Sequence, residues 1–546
     1  MASSLEQVTM RAASSTAVTR WLPGGVAFAW VAGLIGLPLI ALSAAAPGGQ
    51  IVEALADPYI RHVVLFSLWQ AILSTGLSIA LAVPVAVALA RRPDWLGTKI
   101  FLRLFNLALV APAMIAILGI ATVHGRSGWV NDLVAAVGFE RGHYLYGLFG
   151  ILLAHVFFNM PLAARVFLRS IEDVPPENWR LASQLGMDFR AIFRLIDWPA
   201  MRRVLPGVAA AVFMLCFTSF AVVLTLGGGP WATTIEVAIY QALRIEFDIP
   251  RAVALAGVQI AICLVLGAAF LWSGRVGTGF FATERRPFPR PDVDHPVGRM
   301  IDCAALALAF GLVGAPLAAV LVSGLNGTSM AVLFDDVLWR AVGRSLVVAV
   351  LAGGLSLGLG FGLLHGVRLL RTGYGWHRLA NTVELTGALP LIAPPLMLAS
   401  GLFLLLRPFA DVLSVGLYLT VLVNALMGLP FVLRVLAPAM ARADDETRRL
   451  CLDLGIDGWN RLRLVDWPLV RGAAALAFAI AATLAAGDVG VIALFGSQDT
   501  ETLPLLLYRR MGAYQMEAAA VTAMVLAGLC VALFWVIETF VGGRKR

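Results

Sequence analysis

The sequence predicts an all-α membrane protein of about twelve transmembrane helices, arranged as two parallel six-helix repeats. Three observations carry this. Of 546 residues, 60% are hydrophobic and only 14% charged, with a mean hydropathy of +0.86, whereas a soluble chain is about 25% charged. Several apolar stretches are long enough to cross about 30 Å of hydrocarbon as a helix. A charged segment, RLASQLGMDFRAIFRLIDWPAMRR (180–203), returns as RLCLDLGIDGWNRLRLVDWPLVRG (449–472) with eleven of 24 positions identical.

The first six spans are expected near 21–45, 62–90, 101–124, 145–170, 204–227 and 251–273, the second six near 299–323, 338–368, 378–407, 413–440, 472–496 and 515–541. The first apolar run is longer than the core of a cleaved signal, despite the small residues Ala44, Ala45 and Ala46, so it reads as a retained helix. Dense glycine, 53 residues, suits helices whose backbones approach closely. No alternating strand pattern of a β-barrel is visible.

Arginine sets the orientation. One set of loops holds Arg91, Arg92, Lys99 and Arg103, then 180–203, then Arg275, Arg285, Arg286 and Arg290, then Arg368, Arg371 and Arg378, then 442–463 and the tail 544–546. The alternate loops are poorer in basic residues. By the positive-inside rule the rich side is cytoplasmic, with both termini and both charged segments. The net charge of +8 is thereby explained without nucleic acid as a partner; lipid is the expected surrounding.

The repeat has a fixed offset. Gly186 and Gly455, Pro199 and Pro468, Arg165 and Arg434, and Pro161 and Pro430 are each 269 residues apart, and Tyr240 and Tyr508 are 268 apart. Residues 1–283 form the first repeat with its charged loop at 176–199, the Pro-rich stretch 284–299 is a cytoplasmic linker, and 300–546 form the second repeat with its loop at 445–468.

Each charged segment reads as two short amphipathic helices meeting at a glycine elbow, Gly186 or Gly455. Leu181, Ala182 and Leu185 share a face of the first helix, and Pro199 disfavours helical geometry at Trp198 before the next span. Such a shape can seat in a groove of another protein; the alternative is a helix lying at the lipid interface with arginines at headgroups. Duplication of both the elbow and Asp-Trp-Pro favours the groove.

The run Gly186…Ile196-Asp197-Trp198-Pro199, repeated as Gly455…Val465-Asp466-Trp467-Pro468, resembles the cytoplasmic EAA loop of permeases from binding-protein-dependent ABC importers. The Glu-Ala-Ala that opens the family pattern is replaced by Arg180-Leu181-Ala182 and Arg449-Leu450-Cys451, so only the third position stays small. The tracts SLWQAILS, YGLFGILLAHVFFNMPLAARVFL, MLCFTSFAVVLTLGGGPWATTIEVAIYQAL and GDVGVIALFGSQDTETLPLLLYRRMGAY look like the fused two-copy permease for thiamine and its phosphates, with ferric-iron permeases as near relatives. The resemblance implies a type I importer fold. It implies two copies of a cytoplasmic ATPase subunit, which bind ATP and Mg and seat on the loops, and a periplasmic substrate-binding protein.

No enzyme is expected in this chain. The lysines, Lys99 and Lys545, follow Thr98 and Arg544, so no Gly-Lys-Ser/Thr P-loop can form. Cys216, Cys263, Cys303, Cys451 and Cys530 are far apart and the seven histidines lack ligand spacing, so neither a disulfide framework nor a metal site is implied. An ion-coupled secondary transporter explains twelve spans equally well but not the paired loops.

Asp488 is the clearest charged residue within a span, with Phe220 as its expected repeat partner; a carboxylate and an aromatic ring suit a cationic aromatic substrate. Alternatively, Asp488 caps a helix break or pairs with an arginine. His155 and Asn159 share a helical face, as do Ser67, Gln70, Ser74 and Ser78; these line the path or join helices. Glu236, Tyr240 and Tyr508 lie in the outer loops, as binding-protein contacts or as solvated residues. Reporter fusions after Arg180 and after Arg449 should both read cytoplasmic, and fusions within 228–249 and 498–512 periplasmic; opposite locations for the two charged segments would refute the parallel repeat.

Overall fold

The computed structural model describes residues 2–45, 52–53, 56–272, 290–293, 295–325, 327–391, 393–412, 414–456, 458–497 and 500–540. Positions 284–289 and 294 of the expected linker, the arginines at 275, 285 and 286, the tail 544–546 and the outermost ends of the sixth and twelfth expected spans fall outside them. Among the described residues there are helices and turns but no strand.

The first half contains α1 (Ala2–Ala45), α2 (Pro58–Arg91), α3 (Leu96–Val110), α4 (Ala113–His124), α5 (Trp129–Ala136), α6 (Leu148–Glu172) and α7 (Pro176–Gln184). It continues with α8 (Phe189–Phe217), α9 (Ala221–Leu226), α10 (Ile235–Gln241) and α11 (Ile249–Trp272). The second half contains α12 (Pro296–Gly324), α13 (Asp336–Thr372), α14 (His377–Thr386), α15 (Pro395–Leu406) and α16 (Gly416–Asp453). It ends with α17 (Leu462–Gly487), α18 (Gly490–Phe495), α19 (Leu503–Gly512) and α20 (Met516–Phe540).

Eleven of the described helices are long and apolar enough to cross a membrane, one fewer than the expected twelve. The difference lies at 378–407, where α14 and α15 are separate. Pro390, Pro394 and Pro395 remove backbone donors and fix φ, so no continuous helix can pass. The first half breaks at the same place. α3 stops before Pro112, and α4, like α15, is a twelve-residue helix entered from a proline. The first-half segment counts as a span because α5 follows closely.

The described chain forms two compact units. Of the described residues, one unit holds those within 2–45, 336–506 and 525–540; the other holds those within 52–335 and 507–524. In the first of these, α1 packs along α13 and α15. In the second, α12 packs along α2 and α4. The leading helix of each half therefore lies in the unit built from the other half's core. A repeated glycine–proline seat holds both. A Cβ added to Gly401 on α15 would meet Pro38 of α1 at 2.5 Å, and one added to Gly119 on α4 would fall on the backbone of Pro316 in α12. The α1–α13 crossing is equally close: a Cβ on Gly24 would stand 2.7 Å from the Cα of Gly366. Small residues let backbones approach where lipid supplies no hydrophobic drive between helices.

The seats predict where bulk is tolerated. Gly401→Leu and Gly119→Leu should each cost about 1–3 kcal/mol through overpacking, read as lower unfolding midpoints in detergent. Gly25→Leu and Gly36→Leu on α1, whose added Cβ meets nothing within 4 Å, should leave the midpoint unchanged.

Candidate functional site

The two charged loops adopt the same elbow. Gly186 and Gly455 have φ of 60° and 64°, a region that only glycine enters without strain. In each copy the residue after the glycine donates its N–H back across the turn, Met187 to the Ala182 carbonyl at 3.1 Å and Ile456 to the Cys451 carbonyl at 2.9 Å. The glycine N–H bonds the Ser183 carbonyl in one copy and the Leu452 carbonyl in the other. This pair of bonds is the Schellman helix end. It explains why the third position of the departed Glu-Ala-Ala stays small: Ala182 and Cys451 are buried beneath the turn that their carbonyls close.

The first arms differ. Pro175 and Pro176 separate α7 from α6, whereas Asp444 and Asp445 stand at the equivalent places, so α16 runs unbroken to Asp453. The second arms are alike and depart from the expected break at Trp198. Phe193–Asp197 and Leu462–Asp466 are π turns, in which Trp198 N–H reaches the Phe193 carbonyl and Trp467 N–H the Leu462 carbonyl. The wider turn makes room for Pro199 and Pro468, so α8 and α17 pass through Trp-Pro and continue as spans.

What the elbow displays is apolar. Leu181, Leu185 and Leu195 are 54–67% exposed, and their equivalents Leu450, Leu454 and Leu464 are 59–63% exposed. Arg180 and Arg449 are exposed beside them. Of the three residues grouped by spacing, Leu181 and Leu185 are exposed and Ala182 is buried.

Sequence reasoning missed the groups that hold Asp197 and Asp466, both buried. Arg290 donates to Asp197 Oδ1 and Oδ2 at 2.9 and 2.8 Å. Arg368 donates to Asp466 at 3.0 Å, and Arg461 stands 3.5 Å from it. Arg290 and Arg368 lie 93 and 98 residues from their aspartates, so no local spacing marks them. The available signal was an acidic residue recurring inside an otherwise basic loop, which demands a cation.

Candidate path residues fall in separate places. His155 Nδ1 and Ser74 Oγ are 2.8 Å apart, Asn159 bonds Cys216 Sγ, and Gln70 bonds the Cys216 carbonyl at 3.0 Å, all buried within α2, α6 and α8. Ser67 Oγ accepts the N–H of Ile235 at the start of α10, and Ser345 Oγ accepts that of Leu503 at the start of α19. These are helix-joining contacts repeated in both halves. Asp488 is partly exposed, and its two carboxylate oxygens accept the N–H groups of Gly490 and Val491, each at 3.2 Å. It belongs to a different compact unit from Phe220. Because Ala221 and Gly490 open equivalent helices, Asp488 corresponds to Ser219 and Phe220 to Val489, a shift of one residue from the expected pairing.

In the outer loops, Glu236 is fully buried and accepts from Gln259 at 2.8 Å, leaving no exposed atom for a partner. Tyr240 is half-buried with its ring edge-on to Phe220, and Tyr508 is half-buried. Exposed large side chains there include Trp231, 80% exposed, Phe247 and Tyr514. Beside Trp231 and Phe247, a cavity of about 380 Å³ is lined by Tyr59, Gly229, Pro230, Gln241, Ile245, Glu246 and Arg251. Asp57, bonded by the Tyr59 N–H and paired with Arg251, titrates below the ordinary carboxylate range.

Eleven of the described helices are long and apolar enough to cross a membrane, and the charged segment adopts the same elbow twice; together these mark the class of polytopic membrane permeases. No family model matches the chain. The thiamine transport system permease protein ThiP of Brucella abortus (strain 2308) is 41% identical over 537 residues, 98% of each chain. That of Escherichia coli (strain K12) is 43% identical over 530 residues, 96% of this chain and 98% of its own. The ferric transport system permease protein FbpB of Actinobacillus pleuropneumoniae is more distant, 23% identical over 513 residues. The chain belongs to the family of thiamine transport system permease proteins, the fused importer permeases that its sequence resembles.

Proposed function

We propose that this chain is the transmembrane subunit of an ATP-driven importer in the bacterial inner membrane, carrying thiamine or its phosphates from a periplasmic binding protein to the cytoplasm. Both termini and both elbows face the cytoplasm. Two copies of a separate ATPase subunit, which bind the ATP and Mg, each receive one elbow. The observation that carries the reading is the matched pair of Schellman elbows, each displaying three exposed leucines at equivalent positions. Exposed leucines outside hydrocarbon are costly unless covered, and a groove on a partner would cover them. The names of the relatives support thiamine as the substrate. At the outer face, exposed Trp231, Phe247 and Tyr514 offer apolar surface to the binding protein.

Reconstitution with the ATPase and the thiamine-loaded binding protein should give ATP-dependent thiamine uptake, and its absence would overturn the proposal. Gly186→Val and Gly455→Val place a branched side chain at positive φ, at a cost of about 1–2 kcal/mol or more. Each should leave insertion intact while uptake per ATP falls steeply. Normal coupling in both would remove the elbow from the mechanism.

Asp488 provides the test of the path. Asn can still accept backbone N–H groups as a helix cap, so Asp488→Asn removes charge and keeps the cap. Slower thiamine uptake with intact assembly and unchanged receptor affinity is expected. Normal transport by Asp488→Asn, with failed assembly of Asp488→Leu, would make the residue structural.

A further inference from the structure

The two halves solve one electrostatic problem differently. Each must bury the aspartate that precedes Trp-Pro in its charged loop. In the second half the cations are internal: Arg368 from the end of α13 and Arg461 from the loop's own second arm, both also against Asp444. In the first half neither arginine exists. The 269-residue offset places Ile192, fully buried, where Arg461 stands, and the offset of the α2–α13 pair places Ala90 where Arg368 stands. Asp197 is nonetheless fully buried. Its cation is Arg290, from the segment that joins the halves.

Arg290 reaches both arms of the loop. Its guanidinium grips both oxygens of Asp197 on the second arm and lies 4.5 Å over the ring of Trp179 on the first. Its Nε bonds Asp292 at 3.0 Å, and Asp292 bonds Arg91 at 2.8 Å. Arg91 also bonds Asp302 of α12 at 2.6 Å. Three residues beyond Asp292, His295 packs its ring 4.4 Å from Phe189 of the second arm. Burial opposes the charge on Arg290, but Asp197 and Asp292 outweigh it and hold the guanidinium protonated. Burial likewise opposes ionisation of Asp292, and Arg290 and Arg91 reverse that, keeping it below the usual carboxylate range.

We propose that Arg290 is the positioning residue of the first coupling loop: the segment between the halves supplies the cation that the second half supplies from within. The angle between the arms of the first elbow therefore depends on a residue of the segment that joins the halves, while the second elbow takes its cations from its own half. This rests on the reading of the elbows as ATPase contacts. A planar fork suits the task, because Lys cannot hold both oxygens of Asp197 and stack on Trp179 at once.

The test uses the full complex in proteoliposomes, with the exposed Cys303 changed to Ser and a reporter cysteine at Leu181→Cys or Leu450→Cys for cross-linking to the ATPase. Arg290→Ala should reduce cross-linking from Leu181→Cys by about tenfold, as expected when one member of a buried pair is removed, and leave Leu450→Cys unchanged. Uptake per ATP should fall, and Arg290→Lys should lie between. Arg368→Ala should show the converse selectivity. Equal loss at both reporters, or none, overturns the proposal. If Arg290→Ala fails to assemble, Arg290→Lys is judged by the same two reporters. Absence of cross-linking from both reporters with Arg290 intact would instead strike the ATPase reading itself.

Discussion

Hydrocarbon offers no hydrogen bonds, so each backbone N–H and C=O within the membrane must be satisfied by the protein itself. Helix is the default answer. What distinguishes the molecule is how it answers at each place where the helix stops. Ser67 and Ser345 reach across to the first N–H of α10 and α19. Asp488 caps α18 with both carboxylate oxygens. The Schellman bonds close the elbows at Gly186 and Gly455. At Trp198 and Trp467 the chain avoids a stop altogether, widening into a π turn before the proline. Several of these devices occur twice at equivalent positions, so the repeat is one of backbone solutions as much as of residues.

Charge follows a different logic. An aspartate next to a span is tolerable when fixed cations surround it, because an unpaired buried charge costs several kcal/mol. The second half meets this with a compact set, Arg368 and Arg461 against Asp444 and Asp466. The first half uses a longer chain of contacts through Arg290, Asp292, Arg91 and Asp302. Duplication followed by divergence would leave such an imbalance, with the joining segment drawn into the structure of one half.

The elbows were legible because their signal is local: a glycine, a fixed interval and a proline, written twice. The all-helical class was legible from composition, since so few charges allow little else. That proline and glycine interrupt some spans was legible, but that they split the third spans into separate helices was not. Gly387 and the prolines near 390–395 lie inside a long apolar run, and hydropathy registers the run before the interruption. Asp488 was visible as a charge at depth, but its exact partner in the first half was not, because the offset changes from 269 to 268 between α18 and α19. The arginine clamps and the exchange of leading helices depend on contacts between distant segments, which no periodicity encodes. Glu236 looked like a loop residue because it follows Leu226–Gly229; its burial comes from packing of α10 against α11.

The exchange of leading helices has a consequence for biosynthesis. Helix α1 leaves the ribosome first, yet the helices it packs along, α13 and α15, are made last but for the final spans. Roughly 290 residues separate Ala45 from Asp336, so at ~5–20 residues per second α1 waits on the order of 15–60 s for its neighbours. During that interval the face of α1 that carries Gly24 and Pro38 is open to lipid, to chaperones and to proteases. Most of the unit holding α2 and α4 is in place once α12 inserts, and residues 507–524 join it only at the end of synthesis. The chain therefore matures out of order: its middle becomes stable while its beginning is still unpartnered, and the last helices complete the fold at both ends at once.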